Sequence, residues 1–192
     1  MTNEVRNFLE LYQKLDNDIA AFQKSSGLKC KEGCGQCCEN PKVTTSTLEL
    51  LPIAFHLWQN NEAQIWLDEV KIKDRSGSCV FYKQDSQRPG MGRCSIYHFR
   101  PLICRLFGFS AMSDKHGQKQ LLTCPIIKEN HVEQMRIIEN NLGQNKNNVI
   151  PKTTDYTMQV QALDSSLSQE VPINEAIHQA LDKVGLTFQY KR

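Results

Sequence analysis

Cys30-Lys31-Glu32-Gly33-Cys34-Gly35-Gln36-Cys37-Cys38 places four thiols within nine residues. Four thiols in one loop are poorly explained as core hydrophobes. They are well explained as soft ligands for a metal ion or an iron–sulfur cluster. Gly33 and Gly35 flank Cys34. Glycine lets the backbone fold back so that sulfurs converge and N–H groups approach them. Cys34 precedes Cys37 and Cys38 by three and four residues, so one helical turn would put them on one face. Cys30 would close over from the preceding loop. Neighbouring Cα atoms lie about 3.8 Å apart, short of the roughly 4.4–6.8 Å of ordinary disulfides, so a Cys37–Cys38 bridge is disfavoured. On a helix adjacent side chains diverge by about 100°. The pair is then expected to serve two metals, or to ligate through one thiol while the other packs or reacts.

Outward from this loop come Cys79, Cys94, Cys104 and Cys124, making eight cysteines in all. Eight thiols allow one four-sulfur site with spares or two four-sulfur sites, and spacing does not choose. Cys124-Pro125 is similar to the Cys-Pro that closes bacterial ferredoxin motifs. The bland alternative for every one of them is a buried, inert thiol. Charge follows the cysteines. Residues 1–74 carry 8 Lys/Arg and 11 Asp/Glu, net −3, and residues 129–192 carry 6 and 8, net −2. Residues 75–128 carry 9 Lys/Arg against only Asp85 and Asp114, net +7. That excess is either a basic surface for an anionic partner or compensation for a negative thiolate centre. Interleaving of the arginines with cysteines favours compensation.

The second half holds Cys94-Ser-Ile-Tyr97-His98-Phe99-Arg100-Pro101-Leu-Ile-Cys104-Arg105. Here the chain resembles the YkgJ-type cysteine-cluster (CxxCxxCC) proteins, described as a zinc- or iron-chelating domain. Cys30, Cys34, Cys37 and Cys38 match their first block, with a wider gap after Cys30. Cys79-Val80-Phe81 matches the second. Cys94, Ile96, Tyr97, Arg100, Pro101, Cys104 and Arg105 match the third. The likeness spans about residues 28–125 and implies metal binding; the candidate ligands are all eight cysteines, Cys30, Cys34, Cys37, Cys38, Cys79, Cys94, Cys104 and Cys124. A more distant likeness is to the flagellin lysine methylases, which are thought to carry an iron–sulfur cluster. It raises cluster-assisted methyl transfer as a reading. Cys30, Cys34 and Cys37 literally satisfy the radical S-adenosylmethionine spacing, but no repeating strand–helix barrel accompanies them.

Around the cysteines the pattern is helical. Val5, Phe8, Tyr12, Leu15, Ile19 and Phe22 recur at steps of three and four, predicting a helix over 3–24. Ser46-Thr47-Leu48-Glu49 fits a capping box, and Pro52 predicts a kink or a later true start. A short helix over 62–72 would turn Ile65, Trp66 and Val70 inward, and both tryptophans, Trp58 and Trp66, are read as core. Residues 74–124 read as loops, with a short helix near 99–106 and a hairpin near 105–124. Such a long loop-rich stretch needs an organiser, which ligated cysteines would supply. A helix follows over 126–142, with Ile127, Met135, Ile138 and Leu142 inward. Residues 140–148 read as a loop and 149–172 as an extended arm. A last helix over 174–184 has Asn174 as cap, Ile177, Leu181 and Val184 on one face, and Gly185 as terminator.

These readings converge on a mainly α fold with little β, helices surrounding a loop-rich cysteine region. The expected division is 1–142, a helical domain containing the metal-binding region, and 143–192, a C-terminal arm and helix. The start lacks a signal-peptide pattern and no run nears the length of a membrane span, so a cytoplasmic protein is expected. In a reducing compartment clustered cysteines favour metal chemistry over disulfides. The metal is expected as an iron–sulfur cluster, most simply 4Fe-4S, or as iron, with zinc as the alternative. Arg100, Arg105 and Tyr97 are expected around it. The arginines either bond to sulfurs or carboxylates or present a fork to an anionic substrate. Among the histidines only His98 is considered as a ligand. The expected partner is a protein or redox protein of unspecified identity, not a membrane and not nucleic acid.

Overall fold

The computed structural model describes residues 3–73, 77–143 and 150–189. In chain order the elements are α1 (Asn3–Ser26), α2 (Gln36–Glu39), β1 (Thr44–Ser46), α3 (Leu51–Gln59), α4 (Ala63–Ile72), β2 (Tyr82–Gln84), β3 (Gly92–Cys94), α5 (Leu102–Leu106), β4 (Ser110–Ser113), β5 (Lys119–Leu122), α6 (Pro125–Asn130), α7 (Val132–Gly143), α8 (Thr153–Leu163), β6 (Glu170–Pro172) and α9 (Ile173–Gln189). The strands form three two-stranded antiparallel pairs among the described residues, β1–β6, β2–β3 and β4–β5. The fold is therefore mainly α, as the periodicity requires. All six predicted inward residues of α1 are buried, from Val5 to Phe22. No helix among the described residues is long and apolar enough to cross a membrane.

Two compact units share the chain. The first takes residues 1–9, 33–103 and 160–192, and the second 10–32 and 104–159. In the first, α9 packs on α3 and α4 and against the β1–β6 pair. Helix α3 starts at Leu51 with Pro52 in its first turn, after a 3₁₀ turn over Leu48–Leu50. Proline there loses no helical hydrogen bond. The capping box forms reciprocally: Ser46 N–H and Oγ donate to Glu49 Oε1 at 3.3 and 3.1 Å, and Glu49 N–H donates to Ser46 Oγ at 3.4 Å. The other carboxylate oxygen accepts the Leu102 N–H at 2.6 Å, so one buried side chain ties β1 to the start of α5.

Burial raises the Glu49 carboxyl above its ordinary value, and the hydrogen bonds oppose this only in part. An acid whose folded value is raised lends stability while it is protonated. That contribution fades as pH climbs from the unfolded value through the folded one. Glu49→Gln should destabilise by about 1–3 kcal/mol, because an amide N–H must then face a backbone N–H. Denaturant melts at pH 5 and pH 8 should show the gap from wild type narrowing at the higher pH. A gap that widens would mean burial is not the dominant influence on this carboxyl.

Several local expectations yield to packing. Ile65 is 63% exposed on α4, whose buried residues are Ala63, Leu67 and Val70. Trp66 is half-buried, tilted on Phe81 with centroids 4.6 Å apart and with Lys83 Nζ over its ring. The 126–142 helix is two, broken at His131. Residues 153–163, read as part of an arm, form α8, which buries Tyr156 and Val160. Of the expected 140–148 loop, residues through Gly143 are helical and 144–148 lie outside the described residues. Gly185 does not end the last helix, which runs on to Gln189. Its missing Cβ instead admits Trp58: a methyl there would stand 2.5 Å from Trp58 Cζ2, whose indole N–H donates to Leu181 O at 2.8 Å.

In the second unit, β5 packs on α7. Buried Arg105 donates from Nη1 to both Asp16 oxygens at 2.5 Å, with its guanidinium 4.3 Å from the Tyr12 ring centroid. The Tyr156 hydroxyl donates to Asp18. Ala111 N–H donates to Pro151 O at 2.8 Å, joining β4 to the segment just before α8.

Candidate metal centre

The first unit gathers five of the eight cysteines: Cys34, Cys37, Cys38, Cys79 and Cys94. Gly33, at φ +71°, turns the chain in a conformation that disfavours any side chain. The loop then runs beside the β2–β3 hairpin. Gly92 N–H donates to Gly33 O at 2.8 Å, Gly35 N–H donates to Gly90 O at 3.3 Å, and Cys34 bridges Met91. One turn of helix, α2, follows and presents Cys37 and Cys38. Cys79 N–H donates to Cys38 O at 3.3 Å, so the backbone of the second cysteine block is joined to that of the first. Cys94 is the strand partner of Tyr82.

Tyr82, which the cysteine pattern alone does not single out, seals this junction. Its ring lies against two glycines from separate segments: a Cβ on Gly35 would stand 2.2 Å from the Tyr82 oxygen, and one on Gly92 would stand 2.5 Å from Cε2. The hydroxyl donates to Glu39 Oε1 and Met91 O, each at 3.1 Å. Burial, then the Glu39 carboxylate and the neighbouring Cys38 and Cys34, push this phenol up to about 12. No local signal marks it, because Gly35 and Gly92 approach the ring from other segments of the chain.

Each sulfur has its own electrostatics. Tyr82 N–H donates to Cys79 O at 3.1 Å, closing a backbone turn after Cys79. Burial pushes the Cys79 thiol up to about 12 and raises Cys94, the nearby backbone N–H groups opposing it only in part. Cys37 moves the other way. A hydrogen bond from the Cys38 thiol, with Arg100 and local backbone N–H groups, outweighs burial and brings it down to about 6. Arg100 acts on both Cys37 and Cys94, while its guanidinium stacks 3.5 Å from the Tyr97 ring centroid and its Nε donates to Tyr97 O.

Tyr97 itself is 56% exposed. His98 is exposed and edge-on to Tyr97. Phe99 stacks on His56 at 4.9 Å. Cys30, Cys104 and Cys124 belong to the second unit, where Cys124 precedes α6 and His131 contacts the Lys29 carbonyl at 3.1 Å. Arg105, in that unit too, is committed to Asp16 and Tyr12.

The donor chemistry of the first unit fits a thiophilic ion or cluster: several thiols, and the Arg100 guanidinium to offset thiolate charge. Four of the five act on one another electrostatically, Cys37 with Cys38 and Cys94, and Cys79 with Cys94. They are not drawn onto one point, since among the described residues no three Cys, His, Asp or Glu side chains stand ready to share an ion.

Comparison with known proteins agrees with this chemistry. "Uncharacterized protein MJ0661" of Methanocaldococcus jannaschii is 33% identical over 90 residues, covering 40% of this chain and 42% of that protein. The chain thus spans less than half the length of this relative. No solved structure matches. A family model described as "CxxCxxCC: Putative zinc- or iron-chelating domain" matches residues 29–135, more than half of the chain and every cysteine in it. With the cysteine loop, the Cys79 turn and the Cys94 turn all inside that match, the chain belongs to the CxxCxxCC family.

Proposed function

We propose that this protein holds an iron–sulfur cluster or iron through thiols of the first unit, drawn from Cys34, Cys37, Cys38, Cys79 and Cys94, and works in a redox or cofactor-dependent role with a protein partner. The observation that carries the reading is the backbone bond from Cys79 N–H to Cys38 O at 3.3 Å, with Cys94 paired opposite Tyr82 in the adjoining hairpin, which gathers three cysteine blocks in one unit. The thiolate is the ligating form, and the Arg100 charge favours it at Cys37 and Cys94. When bound, iron supplies electron transfer and zinc supplies a rigid crosslink. The chain's residues do the rest: Arg100 offsets thiolate charge, Tyr82 closes the junction, and the Cys38 carbonyl keeps Cys79 in place.

Zinc is the second reading. The all-thiol set also suits a structural zinc site. Anaerobic purification followed by elemental analysis and visible absorption separates the two. Iron with inorganic sulfide and a brown colour is the expected result. Stoichiometric zinc in a colourless protein would replace it with the second reading. Protein isolated folded and free of any transition metal would sink both. Serine replacements at Cys30, Cys104 and Cys124 in the same assay read whether the second unit contributes thiols. Binding of S-adenosylmethionine by calorimetry is the separate test of the methylase-like reading.

A further inference from the structure

The C-terminal helix lies outside the matched family region, yet it reaches the second cysteine block. Asn174, expected as the cap of α9, is its second residue and is fully buried. Its Oδ1 accepts the Val80 N–H at 3.0 Å, and its Nδ2 donates to Ser78 O at 3.2 Å and Gly77 O at 3.4 Å. One amide therefore engages the backbone on both sides of Cys79. A buried amide satisfied in this way by backbone is a precise template for a loop, because losing any partner leaves a buried polar group unpaired.

Helix α9 is itself well anchored for this task. Ile173 N–H donates to Val43 O at 3.0 Å, Thr47 Oγ1 to Gln179 Oε1 at 2.6 Å, and Trp58 to Leu181 O. The side that faces Cys79 is thus held by contacts to β1 and α3 that do not involve the cysteines. We infer that Asn174 is a positioning residue for the metal centre: it sets the Cys79 sulfur through the 77–80 backbone, and the C-terminal helix is a working part of the site although the family region ends before it. This rests on the proposed role of Cys79 as a ligand.

The test uses the full chain, stripped of metal and titrated with cobalt(II), whose thiolate charge-transfer absorption reports the number of bound sulfurs. Affinity is read by chelator competition in Asn174→Ala, Asn174→Asp, Leu181→Ala and Cys79→Ser. Loss of a group that orients a ligand commonly costs about 10–100-fold in metal affinity. That loss, with weakened charge-transfer absorption, is expected for Asn174→Ala. Asn174→Asp keeps the acceptor for Val80 and removes both donors, so an intermediate loss is expected. Leu181→Ala, buried on the same helix, lowers stability without touching residues 77–80 and should leave affinity near wild type. Equal losses in Leu181→Ala and Asn174→Ala would reduce Asn174 to a structural role and overturn the inference. So would weakened binding in Cys79→Ser beside unchanged binding in both Asn174 variants. Unchanged binding in Cys79→Ser would instead remove the ligand reading, and the inference with it. Should Asn174→Ala not fold, Asn174→Asp against Leu181→Ala makes the same comparison.

Discussion

The double variant Cys79→Ser, Cys94→Ser should emerge from anaerobic purification with almost no bound metal, and chelation should no longer lower its melting temperature. Cys79 precedes the first strand of the β2–β3 hairpin and Cys94 ends the second, opposite Tyr82, with Cys79 N–H bonded to Cys38 O. Serine is a hard oxygen donor that holds its proton at neutral pH and does not replace a thiolate on iron or zinc. A ligand that binds only the folded state stabilises it by mass action, about 4 kcal/mol when present at roughly a thousand times its dissociation constant. Wild type should therefore lose stability of that order on chelation, and the double variant should lose none further. Thermal melts with and without chelator, beside elemental analysis, give the answer. Full metal content in the double variant would take the centre away from these two residues.

The next largest effect is expected from a single methyl group. Gly35→Ala would place Cβ 2.2 Å from the Tyr82 oxygen and 2.3 Å from Cε2, distances at which something must move. The strain falls on the ring, because Gly35 is held at both ends: its N–H goes to Gly90 O, and its carbonyl takes the N–H groups of Cys38 and Glu39. Displacing Tyr82 breaks its bonds to Glu39 and Met91 and opens the contact with Gly92. Overpacking costs about 1–3 kcal/mol, and each of the two lost hydrogen bonds adds about 1 kcal/mol, so a loss of about 3–5 kcal/mol is expected. In a Tyr82→Leu background the same substitution should cost much less, because the obstructing ring is gone. Denaturant unfolding of the four proteins forms the cycle. Additive losses would show that Gly35 and Tyr82 do not oppose each other as described.

Much of the fold was legible from apolar spacing. Helix α1 and the apolar faces of α7 and α9 repeat at three and four residues, and such a face has only one way to be buried. The capping box was legible for a similar reason: Ser46 and Glu49 satisfy each other within four residues, needing nothing distant. Ile65 was not. An apolar residue at a plausible helical position is buried only if a partner covers that face, and α9 covers Ala63, Leu67 and Val70. Helix α8 was missed because its polar surface hides the pattern, while Tyr156 and Val160, four residues apart, carry its packing.

The chemistry of this protein, thiols in the order and spacing of a metal-binding family, is written in the sequence, because ligand identity and short-range spacing are local properties. What each glycine, amide and aromatic does was settled only by the tertiary structure. Gly185 reads as a helix end and serves as a seat for Trp58. Asn174 reads as a cap and is spent on a loop that lies 94 residues earlier. Tyr82 reads as one more strand residue and closes the space between Gly35 and Gly92. Each of these roles depends on atoms far away in the chain, and a close approach between distant segments leaves no periodic trace in either one.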